Sequence, residues 1–307
     1  MTVKVGVIGV GYLGQHHARI YSQLDTATLV GIFDADAGRA GEIASQHGCT
    51  AYDALDSLIR DADALSIAAP TPLHFDIAMK CLHHGKDVLV EKPITVTLQE
   101  ADTLINEAAR RNCILQVGHL ERFNPAVLRA EGLLTHPVFF EAERISPFLE
   151  RAAGMDITLD LMIHDIDIIL SLANSKPVRV KAVGTSVLSP MLDVAKAWID
   201  FENGMAALIS ASRLSQEKIR RLKIFQKDSH IVLDYQHAQI KRHYRSGPME
   251  ILHEVIEPEK KEPLMEELRD FIRCVRTRSR PLVSGLEARE ALSIALEITD
   301  QLKRSGS

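Results

Sequence analysis

The sequence predicts an α/β protein: a doubly wound parallel sheet first, then an α+β domain on a large, mainly antiparallel open sheet. Three observations predict it. Short apolar runs alternate with helical stretches as far as Gly118; strand then follows strand with few helices between; and 307 residues are long for one core but comfortable for two. The expected domains are 1–120 and 121–307.

Val3–Ile8 is a continuous β-branched run, the pattern of a strand covered on both faces. A helical stretch covers about Leu13–Gln23, and Thr28–Phe33 is a second apolar strand. Helices at Ala37–His47 and Ala54–Arg60 bracket a short strand at Cys49–Tyr52. Ala64–Ala68 forms a fourth strand and breaks at Pro70-Thr-Pro72. A helix over Leu73–His84 stops at Gly85, where a glycine terminates it readily. The fifth strand, Asp87–Val90, delivers Glu91-Lys92-Pro93; Leu98–Arg111 is helical and Ile114–Val117 is the sixth strand.

Between the first strand and its helix lies Gly9-Val-Gly11-Tyr12-Leu13-Gly14. A lone G-x-G-x-x-G is weak evidence, but this one follows a strand, opens a helix, and has Asp34 at the end of the next strand. That context defines a dinucleotide-binding Rossmann unit. Gly9 permits the tight turn, Gly11 lets a pyrophosphate approach the backbone, and Gly14 lets the helix pack closely. The helix N-terminus offers free N–H groups to the phosphates. Asp34 would accept hydrogen bonds from the adenosine ribose and repel a 2′-phosphate, which favours NAD. Arg39 could serve a 2′-phosphate, so NADP stays possible.

Beyond Gly118, strands are expected at Val138–Arg144, Val178–Val187, Val194–Phe201, Met205–Ser212, Ile219–Gln226, His230–Tyr235, Gln239–Tyr244 and Glu250–Ile256. Glu202-Asn-Gly204 is a strong hairpin signal. A helix at Ile157–Leu172 precedes most of this sheet, and helices at Leu264–Arg278 and Leu286–Lys303 follow it. With helices on one face, the other face needs cover, and a partner subunit is the economical answer.

With 46% hydrophobic and 25% charged residues and a formal charge of −5, nothing suggests nucleic acid or anionic lipid as a partner. The basic cluster Lys218, Arg220, Arg221 and Lys223 suits either a solvated face or a small anion. No apolar stretch reaches the roughly 18–20 residues that span a bilayer, and the first residues read as a strand, not a signal peptide. Cys49, Cys81, Cys113 and Cys274 are far apart and without a C-x-x-C pair, so buried reduced thiols, a cytoplasmic location and no metal site are expected.

The chemistry should lie outside the carboxyl ends of the parallel strands. Lys92, after the fifth strand, can reach a nicotinamide and a substrate hydroxyl, though by spacing alone it is equally a solvated loop lysine. In Asp160-Leu-Met-Ile-His164, the i, i+4 spacing puts both polar residues on one helix face. Together a cation, an imidazole and a carboxylate could handle the proton of an alcohol while hydride leaves its carbon. A hydrogen-bonded helix histidine and a surface acid are the plain alternatives. Asp165 and Asp167 read as structural, Met162, Ile163, Ile166 and Ile169 as core, and His83-His84 as meeting the last carbonyls of its helix.

In this order over the whole chain, G-V-G-Y-L-G, A-P-T-P-L-H (Ala69–His74), E-K-P and D-x-x-x-H resemble the glucose–fructose oxidoreductase / inositol dehydrogenase / rhizopine catabolism family. The resemblance implies that Lys92, Asp160 and His164 are catalytic. With its motifs it gives as cofactor contacts Gly9, Gly11, Tyr12, Leu13, Gly14, Asp34, Ala69, Pro70, His74, Glu91 and Lys92. It also implies a sugar, cyclic polyol or activated sugar held between the domains, and a homodimer or homotetramer formed through the open sheet. G-H-L-E-R-F-N-P (Gly118–Pro125) and L-M-I-H-D-I-D (Leu161–Asp167) are similar to members that oxidise nucleotide sugars at C3, such as UDP-N-acetylglucosamine. Arg122 and Asn124 could hold substrate hydroxyls or a phosphate, Arg122 being alternatively a structural ion pair; Arg144, Arg151 and Arg213 are candidate contacts for UDP. Two rivals remain: an inositol or free-sugar dehydrogenase of the same family, and a non-catalytic dinucleotide sensor.

Overall fold

The computed structural model describes residues 2–148, 156–247 and 250–305. Two compact units divide the chain: Met1–Leu120 with Glu262–Arg289, and Glu121–Lys261 with Glu290–Ser307.

The first unit runs β1 (Val3–Ile8), α1 (Gly14–Tyr21), β2 (Ala27–Phe33), α2 (Ala37–His47), β3 (Thr50–Ala51), α3 (Leu55–Asp61), β4 (Ala64–Ile67), α4 (His74–His83), β5 (Asp87–Glu91), α5 (Leu98–Arg111) and β6 (Leu115–Gly118). All strand pairs are parallel, in the order β3-β2-β1-β4-β5-β6. The order reverses between β1 and β4, which leaves a crevice at their carboxyl ends. β4 and β5 are buried along their whole length, as their continuous apolar runs require. Local signals set the helix ends. Thr97 and Glu100 close a capping box on α5, and Gly48, left-handed at φ 65°, ends α2.

The second unit holds α6 (Pro125–Glu131), β7 (Pro137–Ile145), α7 (Ile163–Ala173), β8 (Pro177–Thr185), β9 (Val194–Phe201), β10 (Ala206–Ser212), β11 (Ile219–Gln226), β12 (Ser229–Asp234), β13 (Gln239–Arg245) and β14 (Ile251–Ile256). Its eight strands are ordered β14-β13-β12-β11-β7-β10-β9-β8, antiparallel except where β7 and β10 run parallel. Alternate residues such as Phe140, Ala142, Ile199, Ile209, Leu222 and Ile231 point inward. They pack with α6, α7 and Ala291–Leu302 of the last helix. No helix among the described residues is long and apolar enough to cross a membrane.

Several expectations are corrected here. The segment Glu262–Arg289, expected in the second domain, clusters with the first. Its helix α8 (Pro263–Thr277) sets Leu264, Leu268, Phe271 and Ile272 into the core around Val5, Val7 and Ala18. The final helix α9 (Gly285–Ser305) is therefore shared at Arg289/Glu290. Helix α6 was unforeseen, although Asn124 and Pro125 form a recognisable N-cap and first position. The helix expected over Ile157–Leu172 opens as a π turn, Thr158–Met162, before α7. Of the cysteines, all free, Cys81 and Cys274 are buried but Cys49 and Cys113 are half-exposed.

Candidate active site

The glycine turn lies at the carboxyl end of β1. Gly9 has φ +84°, and a Cβ there would meet the backbone of Ala68 and Ala69 at 2.8–2.9 Å. A Cβ on Gly14 would stand 1.8 Å from the Gly9 carbonyl oxygen, so the helix can start this close only with glycine. Gly11 has nothing within 4 Å of the corresponding point. Asp34 fastens the turn from β2: Oδ2 accepts the Val10 N–H at 2.7 Å and Oδ1 accepts the Asp36 N–H at 2.9 Å. Each oxygen keeps a second lone pair for a ribose hydroxyl. A cavity of about 480 Å³ is lined by Gly9, Gly11, Asp34, Arg39, Ala69 and Pro70 among others. Leu13 precedes α1, whose first turn holds no acid, and Tyr12 is largely exposed. The open approach at Gly11, the acid and the cavity together fit a dinucleotide.

Past β5, Lys92 is half-buried and joined to Pro93 by a cis peptide bond. Glu91 and His74, both expected at the cofactor, also bond within the protein. The buried Glu91 carboxylate meets His17 Nε2 at 3.1 Å and accepts the Lys92 N–H at 3.2 Å. His17 Nδ1 lies 2.7 Å from Ser66 Oγ on β4. A Cβ on Gly118 would come within 2.7 Å of the Glu91 carboxylate, so glycine leaves that group its room. The ring nitrogens of buried His74 face the carbonyls of Pro93 and Ala69, at 2.9 and 2.8 Å. The loops after β4 and β5 are thereby fastened on both sides of Lys92.

In the second unit, Asp160 lies on the π turn and His164 in the first turn of α7, both half-buried. Arg213, just past β10, donates to Asp160 Oδ2 at 3.0 Å. Asp165 faces inward and receives Arg144 through two bonds of 2.7 and 3.2 Å, while Glu121 meets the same guanidinium at 3.2 Å. Burial alone would lower the Arg144 pKa; the two carboxylates reverse this and raise it. Arg144 and Arg213, candidate contacts for UDP, are each 2% exposed and paired with these carboxylates. Arg151 lies outside the described residues. Asn124, expected at substrate hydroxyls, is buried and caps α6 at the Ala126 N–H; its amide group donates to Glu121 and to the Tyr235 carbonyl. Arg122 lies 3.6 Å from Asp167, an ion pair within this unit.

The His17–Ser66–Glu91 chain and the Arg213–Asp160 bond were not anticipated. A signal for the first existed: His17 shares the buried face of α1 with Gly14, Ala18 and Tyr21, and Ser66 interrupts an apolar strand. Buried polar groups at such places call for partners. Among the described residues, no three His, Cys, Asp or Glu side chains are placed to hold a metal.

Comparison with known proteins places this geometry. Residues 3–119 match the oxidoreductase family with an NAD-binding Rossmann fold, and residues 127–231 match the GFO/IDH/MocA C-terminal domain. UDP-N-acetylglucosamine 3-dehydrogenase of Acidithiobacillus ferrooxidans is 36% identical over 303 residues, 96% of each chain. A solved structure of that enzyme superposes with a TM-score of 0.95 at 34% identity, covering 99% of both chains. The NAD-dependent scyllo-inositol 2-dehydrogenase of Bacillus subtilis is 28% identical over 98% of this chain and 94% of its own. Fold and matches define an NAD-binding dehydrogenase acting on a CH–OH group. The chain belongs to the GFO/IDH/MocA oxidoreductase family.

Proposed function

We propose that this dehydrogenase oxidises a secondary ring hydroxyl of a sugar to a ketone, at C3 of a UDP-amino sugar such as UDP-N-acetylglucosamine. The observation that carries this reading is the end-to-end identity with the Acidithiobacillus ferrooxidans enzyme, 36% over 96% of each chain. Bound NAD supplies the hydride acceptor. Lys92 donates a hydrogen bond to the substrate oxygen and favours its alkoxide form. His164 accepts the hydroxyl proton, and Asp160, braced by Arg213, orients the imidazole and stabilises its cation. The C–H bond leaves as hydride, the O–H bond leaves its proton on His164, and a ketone remains. Arg122 contacts a substrate hydroxyl. The outer face of the eight-stranded sheet buries against a second copy of the chain.

A substrate panel tests the assignment: UDP-N-acetylglucosamine, myo-inositol and glucose, each with NAD and with NADP, followed by absorbance of the reduced cofactor. The expected outcome is the highest kcat/KM for UDP-N-acetylglucosamine with NAD. A higher value for inositol or glucose would overturn the substrate and leave the reaction class intact.

A further inference from the structure

The basic run around β11 does not act as one cluster, because strand alternation splits it. Arg221 and Lys223 point to the outer face. There Lys223 lies 3.2 Å from both Glu141 and Glu143, and Arg221 lies 4.0 Å from Glu143. Arg220 takes the other face with the buried Leu222 and Ile224, and in the ladder it stands opposite Arg144. Lys218, exposed, immediately precedes the strand.

This is the sheet end that carries Asp160. Ile145 of β7 pairs with Ser212 on one side and Ile219 on the other. Arg213 follows Ser212 and holds Asp160. Four cations, Arg144, Arg213, Lys218 and Arg220, meet the carboxylates Glu121, Asp160, Asp165 and Asp193 and the exposed Glu217 at this end. Asp165 and Glu121 are buried, whereas the Arg220 side chain is 36% exposed and Lys218 is open to solvent. Lys218 and Arg220 are therefore the cations of this end that reach solvent, beside the half-buried Asp160 and the exposed Glu217. Repulsion shows in both groups: Arg220, then burial, lowers the Lys218 pKa, and burial followed by Arg144 lowers that of Arg220. Glu121, 3.5 Å from Arg220, is shared with Arg144 and leaves this charge only partly balanced.

We propose that Lys218 and Arg220 receive the diphosphate of a nucleotide-sugar substrate, an assignment that rests on the UDP-sugar reading above. An incoming diphosphate relieves the repulsion between the two cations. Arg220 offers a planar fork to one phosphate and Lys218 a point charge to the other. A neutral sugar or inositol would leave the pair unanswered, so the pair selects for an activated sugar.

The test uses the full chain with NAD. KM for UDP-N-acetylglucosamine and the inhibition constants of UDP and of inorganic pyrophosphate are measured for the wild type, Lys218→Gln, Arg220→Gln and Arg220→Lys. Lys227→Gln, exposed beyond the other end of β11, controls for net charge. Each Gln variant should weaken KM and both inhibition constants about tenfold, with kcat and the KM for NAD held. Arg220→Lys should recover part of the loss, and Lys227→Gln should change nothing. Unchanged constants in Lys218→Gln, whose exposed position leaves folding untouched, would overturn the proposal. So would an equal change in the KM for NAD, which would assign the cations to the cofactor. Turnover of the UDP-sugar with insensitive variants sinks the diphosphate site alone. Diphosphate inhibition lost in the variants, without UDP-sugar turnover in the wild type, sinks the substrate reading alone; neither inhibition nor UDP-sugar turnover in the wild type sinks both.

Discussion

Lys92 is the residue on which the proposed chemistry turns, and its surroundings explain how it is held. Its backbone N–H is bonded to Glu91, and the following carbonyl, that of Pro93, faces His74. Replacing it with alanine removes the ammonium and leaves that backbone frame in place. Lys92→Ala is therefore expected to lower kcat about 10²–10⁴-fold, with NAD affinity in a fluorescence titration near the wild-type value. A variant with near-normal kcat would remove Lys92 from its role. The glycine turn and Asp34 were legible because each residue type there answers a backbone demand: positive φ, close helix approach, or an acid at a strand end. The partners that Glu91, His74 and Asn124 find within the protein were not legible, for the converse reason. A polar side chain next to a binding motif looks the same in sequence whether it faces a ligand or its own backbone, and only burial with partners separates the two.

Elements are tied together beneath that lysine by the chain from Glu91 on β5 through His17 on α1 to Ser66 on β4. All three residues are buried, so the hydrogen bonds form away from water, where an unpartnered carboxylate is costly. His17→Ala should destabilise the protein by about 2–4 kcal/mol, the sum of a lost bond to a charged group and a small cavity. Urea unfolding monitored by circular dichroism reads this directly, and an unchanged midpoint would mean that the chain contributes nothing. At this scale most strands and helices were legible, since buried parallel strands and alternating antiparallel ones carry different apolar periods. The exceptions have physical causes. Helix α6 is only seven residues long, too short for a clear period. The π turn at Thr158–Met162 changes the helical repeat without changing composition. The return of α8 to the first core is a long-range packing event, and local pattern shows its apolar face but not the core that receives it.

For the molecule as a whole, the outer face of the eight-stranded sheet poses the remaining physical problem. A row of rings drawn from six strands lies there, from Trp198 to Phe139, Phe225, His230, His243 and His253, with neighbouring centroids 4.6–5.9 Å apart. Trp198 is 38% exposed, and Val183 on β8 and Val255 on β14 are more than half exposed. A sheet face of this kind exceeds the scattered apolar exposure usual in a monomer, and closed symmetric pairing is the commonest way to bury it. Sedimentation velocity should accordingly give a dimer or tetramer. Trp198→Arg places a charge within the ring row at a position already in contact with solvent, so the fold of the single chain should survive. Its assembly should dissociate at concentrations where the wild type stays associated. NAD binding should persist in the dissociated variant, because Gly9, Gly11 and Asp34 belong to the other unit of the same chain. A monomeric wild type, or a variant that assembles as tightly, would place the cover of this sheet elsewhere.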